Sequence, residues 1–301
     1  MKTTSLIINE RWRITKMFGK QLPYVMTDLD GTISNHDLSI NPDTIKSIKK
    51  YQKASGYKLA FCTGRLDVCN LKIADDLNVQ LPIISCNGTV ITDLKTKEVL
   101  YADYLNYDKL LIILEKAVEI GLDILFYEPG RMGGNQDNPR VIMWIDFLKT
   151  IKKEKHKFEI ITYKDSAELL KSYQRKEFSP VQIVFYFSEA KQHLISKLKE
   201  LCDLYADDFV LAQSLTTMFN LTNKGANKLN GLKKWSEIVN TDYREVITFG
   251  DNGNDIQMIQ GVNKGYAVGN AIDELKDVAY EVIEPIEANG VGKQLERILG
   301  K

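Results

Sequence analysis

Short apolar runs that break into polar, glycine-bearing loops constrain this chain more than any other feature. Tyr24-Val25-Met26 gives way to Thr27-Asp28-Leu29-Asp30-Gly31-Thr32, and Leu59-Ala60-Phe61-Cys62 to Thr63-Gly64-Arg65. "PIIS" runs into "CNG", and "EVITFG" into "DNGND". Runs this continuous read as strands buried on both faces, the way parallel sheets are built. Helical patterns separate them. Asn41, Pro42 and Asp43 supply an N-cap, a first-turn proline and an acid at the positive end of the helix dipole, and Ser55-Gly56 ends that helix. Further helices are read at 66–77, 226–239, 255–260 and 294–299, and "GYAVGN" as a short strand. This alternation predicts an α/β fold with a parallel sheet covered on both sides.

The middle of the chain has a different character. Residues 90–100 alternate like a hairpin turning at 93–97, 107–120 form an amphipathic helix, and "DILFYE" a strand. "PGRMGGNQDNPR" reads as a Gly- and Asn-rich loop and "VIMW" as a strand. "PVQIVFYF", "FVLAQS" and "TMFNLT" read as strands, with a helix over 189–203. A length of 301 residues suits two domains. The expected division is a core of 21–90 and 215–301, an inserted α+β domain over 91–214, and an N-terminal extension of 1–20 in which "SLIINERWRIT" is a short strand or hairpin arm.

Charge narrows the function. Forty basic residues balance forty acidic ones, which argues against a nucleic-acid binder whose affinity rests on basic excess. No apolar run reaches the roughly 20 residues of a membrane span, and the charged start does not resemble a signal peptide. Cys62, Cys69, Cys86 and Cys202 form no CxxC pair and read as small buried hydrophobes. A cytoplasmic protein without nucleic-acid or membrane partners is expected.

The chemistry concentrates in the loops after the strands, the edge where open α/β sheets bind ligands. Asp28 and Asp30 flank a turn that Gly31 permits. Two carboxylates that close resist joint ionisation unless a cation sits between them or one keeps its proton. Either a hard divalent cation or a general acid therefore fits, and so does a plain polar turn. Thr63-Gly64-Arg65 offers a hydroxyl and backbone N–H groups for a phosphate, or an ordinary capping turn. Lys228 can neutralise a phosphate, and on composition alone Lys224 competes with it. Asp251 can complete a metal site, with Asp255 and Thr32 supporting it. Acid, hydroxyl, base and acid on four loops of one sheet edge together suggest phosphoryl transfer.

"DLDGT", "TGR", Lys228 and "GDNGND" resemble the four motifs of the haloacid dehalogenase-like (HAD) hydrolases. "SCNGT", "NKGANKLNGL" and the tail from "GDNGND" to "KQLERIL" resemble their Cof-like, subclass IIB phosphatases. The resemblance covers most of 21–90 and 215–301 and is diffuse between. It implies a Rossmann-like core with an inserted cap, and Mg²⁺-dependent hydrolysis of small phosphate esters, sugar phosphates being the commonest class. By position, Asp28 is the nucleophile and Asp30 the general acid and base. Asp28, the backbone carbonyl of Asp30, and Asp251 hold Mg²⁺; Thr63, Gly64, Lys228 and Asn254 bind the phosphoryl oxygens. Lys228 is preferred to Lys224 because the family's lysine ends a "KGxxK" pattern. On the phosphatase reading the Gly-rich loop 130–138 and the aromatics Tyr127 and Trp144 line the leaving-group pocket, while ordinary cap core is at least as good a reading of the two aromatics. A phosphomutase and a catalytically silent phosphometabolite-binding protein are the competing readings.

Overall fold

The structure, a computed structural model, describes residues 22–35 and 38–300. The strand or hairpin arm expected within 1–20 lies outside the described residues.

A parallel sheet of five strands forms the first layer. Its strands are β1 (Val25–Thr27), β2 (Leu59–Phe61), β12 (Ile247–Gly250), β13 (Lys264–Ala267) and β14 (Glu281–Val282), in the order β14-β13-β12-β1-β2. Alternate residues of the central strands face opposite helices, as the period of two requires. Val25, Leu59, Phe61, Ile247 and Phe249 pack with Ile48 and Tyr51 of α1 (Pro42–Ser55), Ile73 and Ala74 of α2 (Leu71–Asp76), and Val291 and Leu295 of α10 (Gly290–Ile298). Met26 and Ala60 pack instead with Leu232 and Trp235 of α7 (Lys228–Val239) and Met258 of α8 (Ile256–Gln260). Both faces are dry, which is why these strands show no polar alternation. The side chain of Asn41 accepts the Asp43 N–H, and Gly56 takes the left-handed conformation at φ 72° that ends α1.

The topology sets the position of the loops. Thr27 pairs with Phe61 on one side and Phe249 on the other, so the carboxyl ends of β1, β2 and β12 lie level. The chain leaves β1 toward β2 and later returns on its other side at β12, and this reversal opens a crevice above the strand ends. β3 (Ile83–Ser85) adjoins β2 through a parallel bridge between Ile84 and Cys62, and continues into an antiparallel sheet with β4 (Val90–Asp93) and β5 (Glu98–Ala102).

A second sheet of six strands follows. It comprises β6 (Asp123–Glu128), β7 (Arg131–Asn135), β8 (Glu159–Tyr163), β9 (Gln182–Tyr186), β10 (Phe209–Leu215) and β11 (Met218–Asn223), ordered β10-β11-β9-β6-β7-β8. Its outer face, with Ile124, Phe126, Ile183 and Phe185, packs on α3 (Tyr107–Glu119), α5 (Ser166–Gln174) and α6 (Ile195–Asp203). Its inner face presents Leu125, Tyr127, Met132 and Val184. These join Val141 and Trp144 of α4 (Pro139–Thr150) and, from the first layer, Leu66, Cys69, Cys86 and Val90 in one apolar seam.

Two sequence readings are corrected here. "VIMW" is not a strand but part of α4, started by Asn138 as N-cap and Pro139 in the first turn, the same signal that begins α1. The Gly-rich stretch is not a loop throughout: Arg131–Asn135 is β7. Gly133 and Gly134 are there because a Cβ at Gly133 would stand 2.4 Å from the Phe126 ring, and one at Gly134 2.9 Å from Leu125. All four cysteines are buried and free. No described helix is long and apolar enough to cross a membrane.

Candidate active site

The loop after β1 is wound tightly by its own backbone. The Asp28 N–H bonds to the Phe249 carbonyl at 3.0 Å, and the Ile33 and Ser34 N–H groups return to the Leu29 carbonyl. Gly31 sits at φ 82°, and a Cβ there would lie 2.3 Å from Asp251 Oδ2. Both the turn and the close approach of the β12 loop therefore require glycine. Beside it, Thr32 Oγ1 donates to Asp251 Oδ1 at 2.8 Å.

Three carboxylates meet at the strand ends. Asp28, Asp251 and Asp255 each place an oxygen within 4.8 Å of the others. The fully buried Lys228, first residue of α7, lies 2.7 Å from both Asp28 Oδ1 and Asp255 Oδ1. Asp255 Oδ2 accepts the N–H groups of Asp251 and Asn252, each at 3.2 Å. Both Asp255 oxygens are thus committed to holding Lys228 and the β12 loop. Asp28 spends one oxygen on Lys228, and Asp251 one on the Thr32 hydroxyl.

The electrostatics of this cluster fit a cation. Burial, with the neighbouring acids Asp255 and Asp251 against the opposing pull of Lys228, pushes the Asp28 carboxyl well above the usual carboxylate range. Burial also raises Asp251 to about 6, against the Thr32 hydrogen bond. Burial opposes the charge on Lys228, yet Asp255 and Asp28 outweigh it and hold the ammonium. One lysine for three crowded carboxylates leaves negative charge uncompensated. An all-oxygen donor set of this kind suits a hard divalent ion.

Around the cluster stand the remaining loops. Thr63 is buried and its hydroxyl accepts the Arg65 N–H at 3.1 Å. Arg65, 7% exposed, grips Asp30 with both arms of its guanidinium: Nε donates to Oδ2 at 2.7 Å, and Nη2 to Oδ1. Nη2 also reaches Ser34 Oγ at 3.2 Å. Sequence reasoning gave Arg65 no role. Its signal was there, a charged residue following the hydroxyl in a strand-to-helix loop.

Asn87 was missed as well. Its N–H donates to the Thr63 carbonyl at 3.1 Å, and its Oδ1 accepts from Asn254 Nδ2 at 2.9 Å. Cys86, Asn87 and Gly88 run at φ 49°, 55° and 102°, a left-handed stretch that costs about 1 kcal/mol or more at each non-glycine residue. Gly88 lets this loop abut α7: a Cβ there would be 2.2 Å from the Asn227 carbonyl oxygen, beside Lys228. Gly64 faces the same asparagine, a Cβ there lying 3.2 Å from Asn87 Oδ1. The structure therefore brings Asp28, Thr32, Lys228, Asp251 and Asp255 into one bonded cluster. Asp30, Thr63, Gly64 and Asn254 rim it.

The second sheet contacts the segment that follows β2. The Gly130 N–H and Thr92 Oγ1 donate to the two oxygens of buried Asp67, at 3.1 and 3.0 Å, tying the β6–β7 turn to the segment after Arg65. Tyr127 and Trp144 are buried in the seam.

The model of the haloacid dehalogenase-like hydrolases matches residues 25–295. The chain belongs to this family. As a HAD-like hydrolase it is 28% identical over 269 residues to pyridoxal phosphate phosphatase YbhA of Escherichia coli, spanning 86% of this chain and 92% of that protein. A haloacid dehalogenase-like hydrolase from Bacteroides thetaiotaomicron shares its fold with a TM-score of 0.75 at 23% identity, covering 91% of this hydrolase and 99% of that chain. The HAD subclass IIB sugar phosphatase BT4131 does so with a TM-score of 0.70 at 22% identity, over 91% and 98%.

Proposed function

We propose that this HAD-like hydrolase is a Mg²⁺-dependent phosphatase of small phosphorylated metabolites, working through an aspartyl-phosphate on Asp28. The observation that carries the reading is the convergence of Asp28, Asp251 and Asp255 within 4.8 Å, with Lys228 between Asp28 and Asp255. Asp28, the backbone carbonyl of Asp30, and Asp251 would hold the cation. When bound, the ion neutralises the crowded acids and the incoming phosphoryl oxygens.

Lys228 fixes one Asp28 oxygen, so the carboxylate is oriented before substrate arrives. An Asp28 oxygen attacks phosphorus and the bond from phosphorus to the ester oxygen breaks. Asp30, released from one arm of Arg65 and having taken up a proton from solvent, gives that proton to the ester oxygen as the alcohol leaves. Water then attacks the acyl phosphate, Asp30 takes its proton back, inorganic phosphate departs and Asp28 is restored. Lys228, the Thr63 hydroxyl, the Gly64 N–H and Asn254 receive the phosphoryl oxygens. Arg65 is a positioning residue: it holds Asp30 at the rim, and one arm of that fork must loosen for Asp30 to serve the leaving oxygen. Residues 91–214 act as the cap, and sugar phosphates or similar monoesters are its substrate class.

Hydrolysis of an aryl phosphate with and without Mg²⁺ tests this. Turnover that needs Mg²⁺, stops with chelator and is lost in Asp28→Asn supports the reading. Turnover unchanged in Asp28→Asn contradicts it.

A further inference from the structure

The start of α4 holds three nitrogen donors with nothing to bind. Asn138 Nδ2, Arg140 Nε and Trp144 Nε1 are buried without a hydrogen-bond partner. Asn138 and Trp144 are each 2% exposed. Asn138 Oδ1 already accepts the Arg140 N–H at 2.9 Å, so only its donor end is unspent. The Arg140 guanidinium lies 5.4 Å from the Trp144 ring centroid, and Nη1 has only the sulfur of Met143, at 3.5 Å. Among the described residues no carboxylate forms an ion pair with Arg140. Burial works against its charge; the Tyr127 hydroxyl, to which the guanidinium hydrogen-bonds, then the Cys69 thiol and, across the seam, Asp30 act in its favour.

A largely buried guanidinium without a counter-ion is costly, and so is each orphaned donor. The three unpartnered atoms are all donors, at the positive end of a helix of 12 residues. Neutral hydroxyls would satisfy the hydrogen bonds and leave the charge unpaired; an anion satisfies both. That anion is not the transferring phosphoryl group, whose ligands are Lys228 and the core loops. Asp30 lies toward the leaving group on the proposed reading, and Arg140, on the other layer, is near enough to feel its charge.

We propose that Asn138, Arg140 and Trp144 form a second anion site that selects substrates whose leaving group carries a carboxylate or a second phosphate. The site rests on the phosphatase reading for its access through the crevice, and it names the substrate class that reading leaves open. Arg140 supplies charge and direction, and the two orphaned side-chain donors complete the shell.

Binding to Asp28→Asn in Mg²⁺, read by calorimetry, tests the site without turnover. Two matched pairs serve: 3-phosphoglycerate against glycerol 3-phosphate for the carboxylate, and fructose 1,6-bisphosphate against fructose 1-phosphate for the second phosphate. In at least one pair the anionic member is expected to bind about tenfold or more tightly, the worth of a charged hydrogen bond. Adding Arg140→Met removes that difference and Arg140→Lys restores part of it. Equal binding within both pairs, or a preference that survives Arg140→Met, overturns the proposal. The pairs measured in Asp28→Asn alone decide the matter even if adding Arg140→Met prevents folding. A wild type that discriminates in binding but hydrolyses no phosphate ester supports the anion site and overturns the phosphatase reading instead.

Discussion

Asp251 carries a pH dependence whose sign is fixed by its surroundings. Burial raises its carboxyl to about 6 in the metal-free protein, so the folded chain binds a proton there that the unfolded chain has lost. This stability is present at pH below the ordinary carboxylate range and is lost as pH rises through about 6. The loss is at most about 3 kcal/mol. Thermal unfolding without metal should show wild type losing stability relative to Asp251→Asn between about pH 4 and 7, with Mg²⁺ restoring it above pH 6; parallel curves would refute the assignment. Arg65 has a kinetic signature. Its fork orients Asp30, so Arg65→Ala should lower kcat on alkyl phosphates by on the order of 10²-fold, and much less on aryl phosphates, whose leaving oxygen needs no proton. Arg65→Lys keeps the charge but not the bidentate geometry and should recover little. Equal losses on both ester classes would remove Arg65 from this role.

At the scale of elements, the loop after β3 is braced against the start of α7. Gly88 needs its φ of 102° and its contact with the Asn227 carbonyl, so Gly88→Ala should destabilise by at least about 1 kcal/mol. It should also move Lys228 and cut activity; a variant with wild-type Tm and kcat would contradict that brace. What was legible follows the physics of each element. Strands buried on both faces announce themselves as unbroken apolar runs, which is why the β1, β2, β3 and β12 loops and their acids stood out. The "VIMW" run is apolar for another reason, since α4 turns Val141 and Trp144 into the seam. Its Asn138-Pro139 start was the better guide. β7 hid behind glycines selected by the Phe126 and Leu125 side chains opposite, a pressure visible only once strands are paired. Arg65 stood in a loop already singled out, but its role, like that of Asn87, appears only once the fold brings Asp30 and Asn254 to them.

In the whole molecule, the two layers meet through the apolar seam and a charged rim. Asp75 at the end of α2 accepts from Lys153 and Lys155 at 3.0 and 2.6 Å, and lies 3.2 Å from His156 Nε2. These lysines hold its carboxyl well below the usual range. Exposed pairs contribute little to stability, under about 1 kcal/mol, but salt reaches them readily. Raising ionic strength should therefore raise KM in wild type and leave Asp75→Ala, already released, almost unmoved; an equal response in both would show that the rim does not govern closure. The seam packs Tyr127 and Trp144 of the second layer against Leu66, Cys69 and Cys86 of the first. On the proposed mechanism Asp28 becomes phosphorylated beside Asp251 and Lys228. Acid-quenching the enzyme during turnover and mapping its peptides by mass tests this most directly. One phosphoryl group is expected on the peptide holding Asp28, absent from Asp28→Asn and from chelator-treated enzyme. A phosphoryl group on any other residue, or full turnover by Asp28→Asn, would contradict it.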